Sequence, residues 1–134
     1  MTLYHADITV PAGTPQNNPV TKTLIIEDEI VTKIAVTFPW GCNGLVYLSI
    51  HYGKYQLFPK PEGEALHDSG TRVIASVYWE TPEGRTPLII KAWAPETQYD
   101  HTLMVDIEAV PKEIGTPQTV LGKLANTLQK LIWG

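Results

Sequence analysis

The sequence predicts an all-β protein: a two-sheet antiparallel β-sandwich of about eight strands with jelly-roll-like connectivity, followed by a short C-terminal α-helix. Three observations predict it. Apolar and polar residues alternate at period two through most of the chain, as in Val46, Leu48 and Ile50 against Tyr47, Ser49 and His51. Turn signals drawn from 11 prolines and 10 glycines punctuate the pattern at intervals of roughly 8 to 12 residues, the spacing of sandwich strands. Charged residues make up only 18% of the chain against 43% hydrophobic, so much of the surface falls to Thr, Ser, Asn, Gln, Gly and Pro. That balance suits short strands and tight turns better than helices.

Taken in order, Tyr4, Ala6, Ile8 and Val10 alternate with His5, Asp7 and Thr9 to give a first strand with one face toward a core. Pro11 to Pro19 is a rigid polar connection, because its prolines remove backbone donors and its Gly and Asn residues accept left-handed conformations. Residues 20 to 26 form the second strand, with Leu24 and Ile26 inward and Thr21, Thr23 and Ile25 outward. Glu27-Asp28-Glu29 reads as a solvated acidic turn, with too few oxygen ligands for a cation site. Ile34, Val36 and Phe38 are the inward residues of the third strand, over 30 to 38.

The turn cluster Pro39 to Gly44 leads into a fourth strand at 45 to 52, the Gly53-Lys54 turn, and a short aromatic strand at 55 to 58. Pro59 to Gly70 is the longest turn-rich loop. A sixth strand, 71 to 79, places Val73, Ala75, Val77 and Trp79 opposite Arg72, Ile74, Ser76 and Tyr78. After the Thr81 to Arg85 turn, Leu88 to Trp93 is almost continuously apolar, as a central strand covered on both faces would be. The eighth strand, 101 to 110, turns Leu103, Val105 and Ile107 inward.

The pattern then changes, dividing the chain into a sandwich domain over 1–111 and a linker with an amphipathic helix over 112–134. Thr116-Pro117 reads as an N-cap followed by Pro at the first helical position. Leu121, Leu124, Leu128 and Leu131 follow the spacing of one helix face, widened by Val120 and Ile132. Gly122 weakens such a helix by about 1 kcal/mol relative to Ala. A helix of about 15 residues is marginal alone in water, so the Leu stripe is expected to dock, on its own sandwich or on a partner.

The 134 residues suit one domain with a real core. A net charge of −4 and the lack of any Lys/Arg run argue against a nucleic-acid partner. No apolar stretch reaches the roughly 18 residues that span a bilayer, so no membrane partner is expected. The first residues lack the basic and apolar regions of a signal peptide. The lone Cys42 cannot form an intrachain disulfide and has no second thiolate to share a zinc.

No catalytic motif emerges. His5, His51, His67 and His101 lie in four different segments, though His51 and His101 stand near strand ends from which they could approach each other. His67-Asp68-Ser69 holds the residue types of a catalytic triad, but triads are assembled from distant positions. Neither enzyme activity, cofactor nor metal is expected. Among the aromatics, Trp40, Tyr55 and Trp93 are the candidates for an exposed contact surface, with Trp40 in its Pro-Trp-Gly turn foremost.

Pro11-Ala-Gly-Thr-Pro15, Phe38-Pro-Trp-Gly-Cys-Asn-Gly44 and Ala92-Trp-Ala-Pro95 resemble the pattern of small β-sandwich virion proteins of viruses of bacteria and archaea, over residues 3 to 111. The resemblance implies a non-enzymatic subunit of capsid decoration, minor capsid, neck or tail. Such a subunit would be located in the virion, or in the cytoplasm otherwise, and would associate with itself or with other virion proteins. The alternative is a carbohydrate-binding module that stacks a glycan on Trp40, Tyr55 and Trp93.

Overall fold

The computed structural model describes residues 1–82 and 84–112. The helix expected after Thr116, with Val120, Leu121, Leu124, Leu128, Leu131 and Ile132, lies outside the described residues. Among the described residues nine strands form: β1 (Thr2–Val10), β2 (Val20–Ile26), β3 (Glu29–Phe38), β4 (Tyr47–Tyr52), β5 (Tyr55–Phe58), β6 (Leu66–His67), β7 (Thr71–Glu80), β8 (Thr86–Trp93) and β9 (His101–Pro111).

They make two antiparallel sheets, ordered β1-β9-β3-β7 and β2-β8-β4-β5, with β6 also paired to β4. Because β8 occupies one edge of β4, both β5 and β6 must share the other: β5 along Ile50–Tyr52 and β6 along Tyr47–Leu48. Counted by lanes, the sandwich has eight. The chain passes between sheets at every connection except those joining β4, β5 and β6. This is the double Greek key of a jelly roll.

Alternation explains the core. In β1, Ala6, Ile8 and Val10 are buried while His5, Asp7 and Thr9 are exposed. From the facing strands, Ile34, Val36, Phe38, Leu103, Val105 and Ile107 meet Leu48, Ile50, Leu88 and Ile90 in one cluster. Each such side chain contributes about 1.5 to 3 kcal/mol when fully buried. A bulge between Val31 and Lys33 interrupts the register of β3 with both β7 and β9. It lets Ile30 and Val31 be buried in succession.

The two ends of the sandwich differ. At one end, Thr81 fastens the β7–β8 connection to the start of β3: its Oγ1 donates to Glu29 O at 2.9 Å and accepts the Glu29 N–H at 3.0 Å. The Glu29 carboxylate accepts hydrogen bonds from Thr2 Oγ1 at 2.7 Å and Tyr4 OH at 2.5 Å. The acidic turn is therefore not wholly solvated as the sequence suggests, since Glu29 is only 8% exposed. Hydroxyls from distant positions in the chain take the place of water around its carboxylate. Lys112 pairs with Asp28, and Arg85 with Glu27 at 3.4 Å. The other end carries the β1–β2, β3–β4, β6–β7 and β8–β9 loops. A Thr14–Ala94 bridge and the 2.9 Å bond from Ala12 N–H to Asp100 tie two of them together.

The remaining strand differs from expectation in a way that matters for the site. β8 is central in its sheet, between β2 and β4. Its outward residues Ile89, Lys91 and Trp93 are half-buried, and loops cover them only in part.

Candidate functional site

Two recesses and one charged face carry the polar and aromatic chemistry of the described residues. The first recess, about 760 Å³, opens at the loop-bearing end between the β3–β4 loop and the β8–β9 loop. Gly41 (φ 92°), Asn43 (φ 51°) and Gly44 (φ 71°) take left-handed conformations that turn the β3–β4 loop sharply. Asn43 N–H donates to Ser69 Oγ at 3.1 Å, and Gly70 N–H to Pro39 O at 3.1 Å. Gly70 is required, since a Cβ there would run into the Trp40 indole. Held this way, Trp40 remains 85% exposed, with Tyr99 of the β8–β9 loop 75% exposed at the same recess.

Cys42 lies buried in the lining, and burial pushes its thiol pKa up, away from the reactive thiolate. His101 Nδ1 is buried there without a hydrogen-bond partner among the described residues.

The second recess is a groove on the outer face of the β2-β8-β4-β5 sheet, made of two overlapping cavities of about 350 and 310 Å³. Its floor comes from alternate residues of β4 (Tyr47, Ser49, His51) and β8 (Lys91, Trp93), which the register sets side by side: Tyr47 opposite Trp93, and Ser49 opposite Lys91. One wall is Gln16, Asn17 and Pro19 of the β1–β2 loop, and the other is Gly63 and Glu64 of the β5–β6 loop.

Gln56, 6% exposed, fixes the second wall. Its amide donates to Pro59 O at 2.7 Å and Glu64 O at 2.8 Å, and its Oε1 accepts the Gly63 N–H at 3.1 Å. The Tyr47 and Trp93 rings lie 16° from parallel with centroids 6.0 Å apart, and His67 stands 5.2 Å from Tyr47. Ser49 Oγ and His51 Nε2 are 2.8 Å apart. Burial, then the Lys91 charge, lowers the His51 pKa, with Glu62 opposing, so the imidazole is neutral at pH 7.

The outer face of the other sheet carries a charged row. His5 Nδ1 is 2.6 Å from Asp106 Oδ1 and Nε2 is 2.7 Å from Asp7 Oδ1, while Arg72 reaches Asp106 at 3.1 Å. The bonds to Asp106 and then Asp7 raise the His5 pKa. Leu3, Ile74, Tyr78 and Met104 stand exposed around this row.

The candidate aromatics of the sequence do not share a surface. Trp40 lines the end recess and Trp93 the sheet groove. Tyr55 lies at the β4–β5 hairpin under the Lys60 ammonium, 4.0 Å from its ring centre. The ring beside Trp93 is Tyr47, whose outward position the alternation shows but whose neighbour on β8 depends on long-range register. His51 and His101, which the sequence allows to approach, belong to different sheets and line different recesses. Ser69 is occupied by Asn43, and Asp68 accepts the Ser69 N–H at 2.8 Å, so His67-Asp68-Ser69 is turn chemistry. Among the described residues no group of three or more His, Cys, Asp or Glu side chains could hold a metal.

No protein-family model matches the chain, and no curated protein does. Among solved structures it is similar to one described as "Crystal Structure of FLHE", at 9% identity and a TM-score of 0.39, over 79% of this chain and 94% of that one. So loose a likeness bears on neither the fold nor the function.

Proposed function

We propose that the protein is a non-enzymatic structural subunit of a virus particle, in a decoration, minor capsid, neck or tail position, acting through protein–protein contacts. The observation that carries this reading is the exposure of Trp40 and Tyr99 at one recess on a fixed loop end. Trp and Tyr are the residue types that anchor protein interfaces, and each buries about 150 to 250 Å² when covered. The jelly-roll connectivity supports the reading, because capsid domains use it, as do lectins. So does the resemblance of the turn motifs to the pattern of small virion proteins. The Leu121–Leu131 stripe of the sequence offers a second contact, worth about 1.5 to 3 kcal/mol for each Leu covered.

The test is size exclusion with light scattering beside thermal melts. The full chain is expected to run as an oligomer, and the double variant Trp40→Ala, Tyr99→Ala to melt unchanged but run smaller. Deleting residues 116 to 134 is expected to leave a folded sandwich of reduced subunit number. A wild-type protein that is monomeric at every concentration would overturn the reading, as would an assembly untouched by all these changes.

A further inference from the structure

We propose that the groove on the β2-β8-β4-β5 sheet is a saccharide-binding site. The proposal is independent of the assembly reading, which rests on other residues. A sugar ring presents an apolar C–H face and a rim of hydroxyls, and the groove offers a complement to each. Tyr47 and Trp93, half-buried on the sheet and stacked on each other, offer aromatic surface to the groove. Next to it lie short polar groups that both donate and accept: Ser49, the neutral His51, and Gln16 on the wall. Pockets of roughly 300 to 1,000 Å³ with a few placed polar groups are the usual form of small-ligand sites, and the two joined cavities fall in that range.

The walls are built before any ligand arrives. Gln56 ties the β5–β6 loop through three hydrogen bonds, and the Thr14–Ala94 bridge holds the β1–β2 loop to the start of the β8–β9 loop. Walls already ordered cost little entropy on binding. Lys91 makes no ion pair among the described residues, so its ammonium is available to a ligand carboxylate. Glu64 on the opposite wall and the chain's net charge of −4 disfavour a polyphosphate backbone. The chemistry points to a short oligosaccharide, neutral or with a single carboxylate set against Lys91.

The experiment is a two-dimensional amide NMR titration of the full chain with chitotriose, cellotriose, maltotriose and trigalacturonate, each to about 10 mM, where millimolar affinities are readable. At least one saccharide is expected to shift the amides of Gln16, Tyr47, Ser49, Glu64, Lys91 and Trp93, with a neutral trisaccharide ahead of trigalacturonate. Trp93→Ala should weaken binding about 10-fold or more, in line with the loss of one stacked ring. Gln16→Ala, at an exposed loop position that leaves the core alone, should weaken it by a smaller factor. No shift with any of the four would overturn the proposal. So would shifts centred on Trp40 and Tyr99, or an affinity unchanged in both variants.

Discussion

The two sheets turn opposite outer faces to the solvent. On the β1-β9-β3-β7 sheet the outward residues form a charged row, Asp7–His5–Asp106–Arg72, with exposed apolar side chains around it. On the β2-β8-β4-β5 sheet the outward residues Tyr47, His51, Lys91 and Trp93 are half-buried and Ser49 is buried, on a floor between two loops. Both faces follow the same period-two pattern, so strand sequence alone does not make one concave. The difference comes from where the connections fold back. Gln56 draws the β5–β6 loop over its own sheet, and residues 16 to 19 of the β1–β2 loop rise on the opposite side.

The largest effect should be common to both sheets. Ile34→Ala beneath the charged face and Ile50→Ala beneath the grooved face should each cost about 2 to 5 kcal/mol in chemical denaturation. Both residues are fully buried in the same core cluster. A loss under about 0.5 kcal/mol at either site would mean that its sheet does not share that core.

Gln56→Ala should separate the faces. It leaves Pro59 O, Glu64 O and Gly63 N–H without their partner, at a cost of about 0.5 to 1.5 kcal/mol per bond lost, since water can reach the exposed Gly63 and Glu64. Hydrogen exchange should accelerate at Gly63 while β1 and β9 keep their protection. Exchange that accelerates equally on both faces would show that the loop supports the whole sandwich and not one wall of a groove.

On the charged face, Arg72→Ala should cost less than about 1 kcal/mol, and less still in high salt, because the pair is solvent-exposed. A cost that salt does not diminish would point to packing of the Arg72 stem.

The smallest effect is the most diagnostic. His5 on the open face has a raised pKa, and His51 in the groove a lowered one. The His5 contribution to stability is thus present below its unfolded pKa and lost as pH rises through the folded value. The His51 contribution is present above its unfolded pKa and lost as pH falls through the folded value. Imidazole NMR titration should place the two on opposite sides of the ordinary histidine value of 6.5. Asp106→Asn should lower the His5 pKa and leave His51 where it is. Equal pKa values in the wild-type protein would remove the electrostatic contrast between the faces.

Much of this architecture is legible in the sequence, because it rests on local alternation. Ile34, Val36, Leu48, Ile50, Val105 and Ile107 face the core as their spacing predicts. What escapes is whatever depends on partners far along the chain. The two-residue β6 has no period to read, and it hides in a loop that reads as turn chemistry throughout. The bulge in β3 leaves the run Ile30-Val31 without a sequence marker. Glu29 looks solvated until Thr2, Tyr4 and Thr81 arrive from other strands. The groove is hidden for the same reason. Tyr47 and Trp93 are 46 positions apart in numbering (93 − 47) and meet only through the pairing of β4 with β8.

The neighbouring, antiparallel placement of β1 and β9 has a practical consequence. Thr2 is opposite Ala109, and Lys112 is paired with Asp28 beside the Glu29–Thr81 lock. The polypeptide therefore enters and leaves the described fold at one pole, and Trp40 and Tyr99 stand at the other. A fluorescent reporter or surface tether fused ahead of Met1 would hang from the far pole and leave the aromatic recess unobstructed. The same polarity would let a molecule anchored by its chain ends present its loops outward, as a peg set into a board shows only its head.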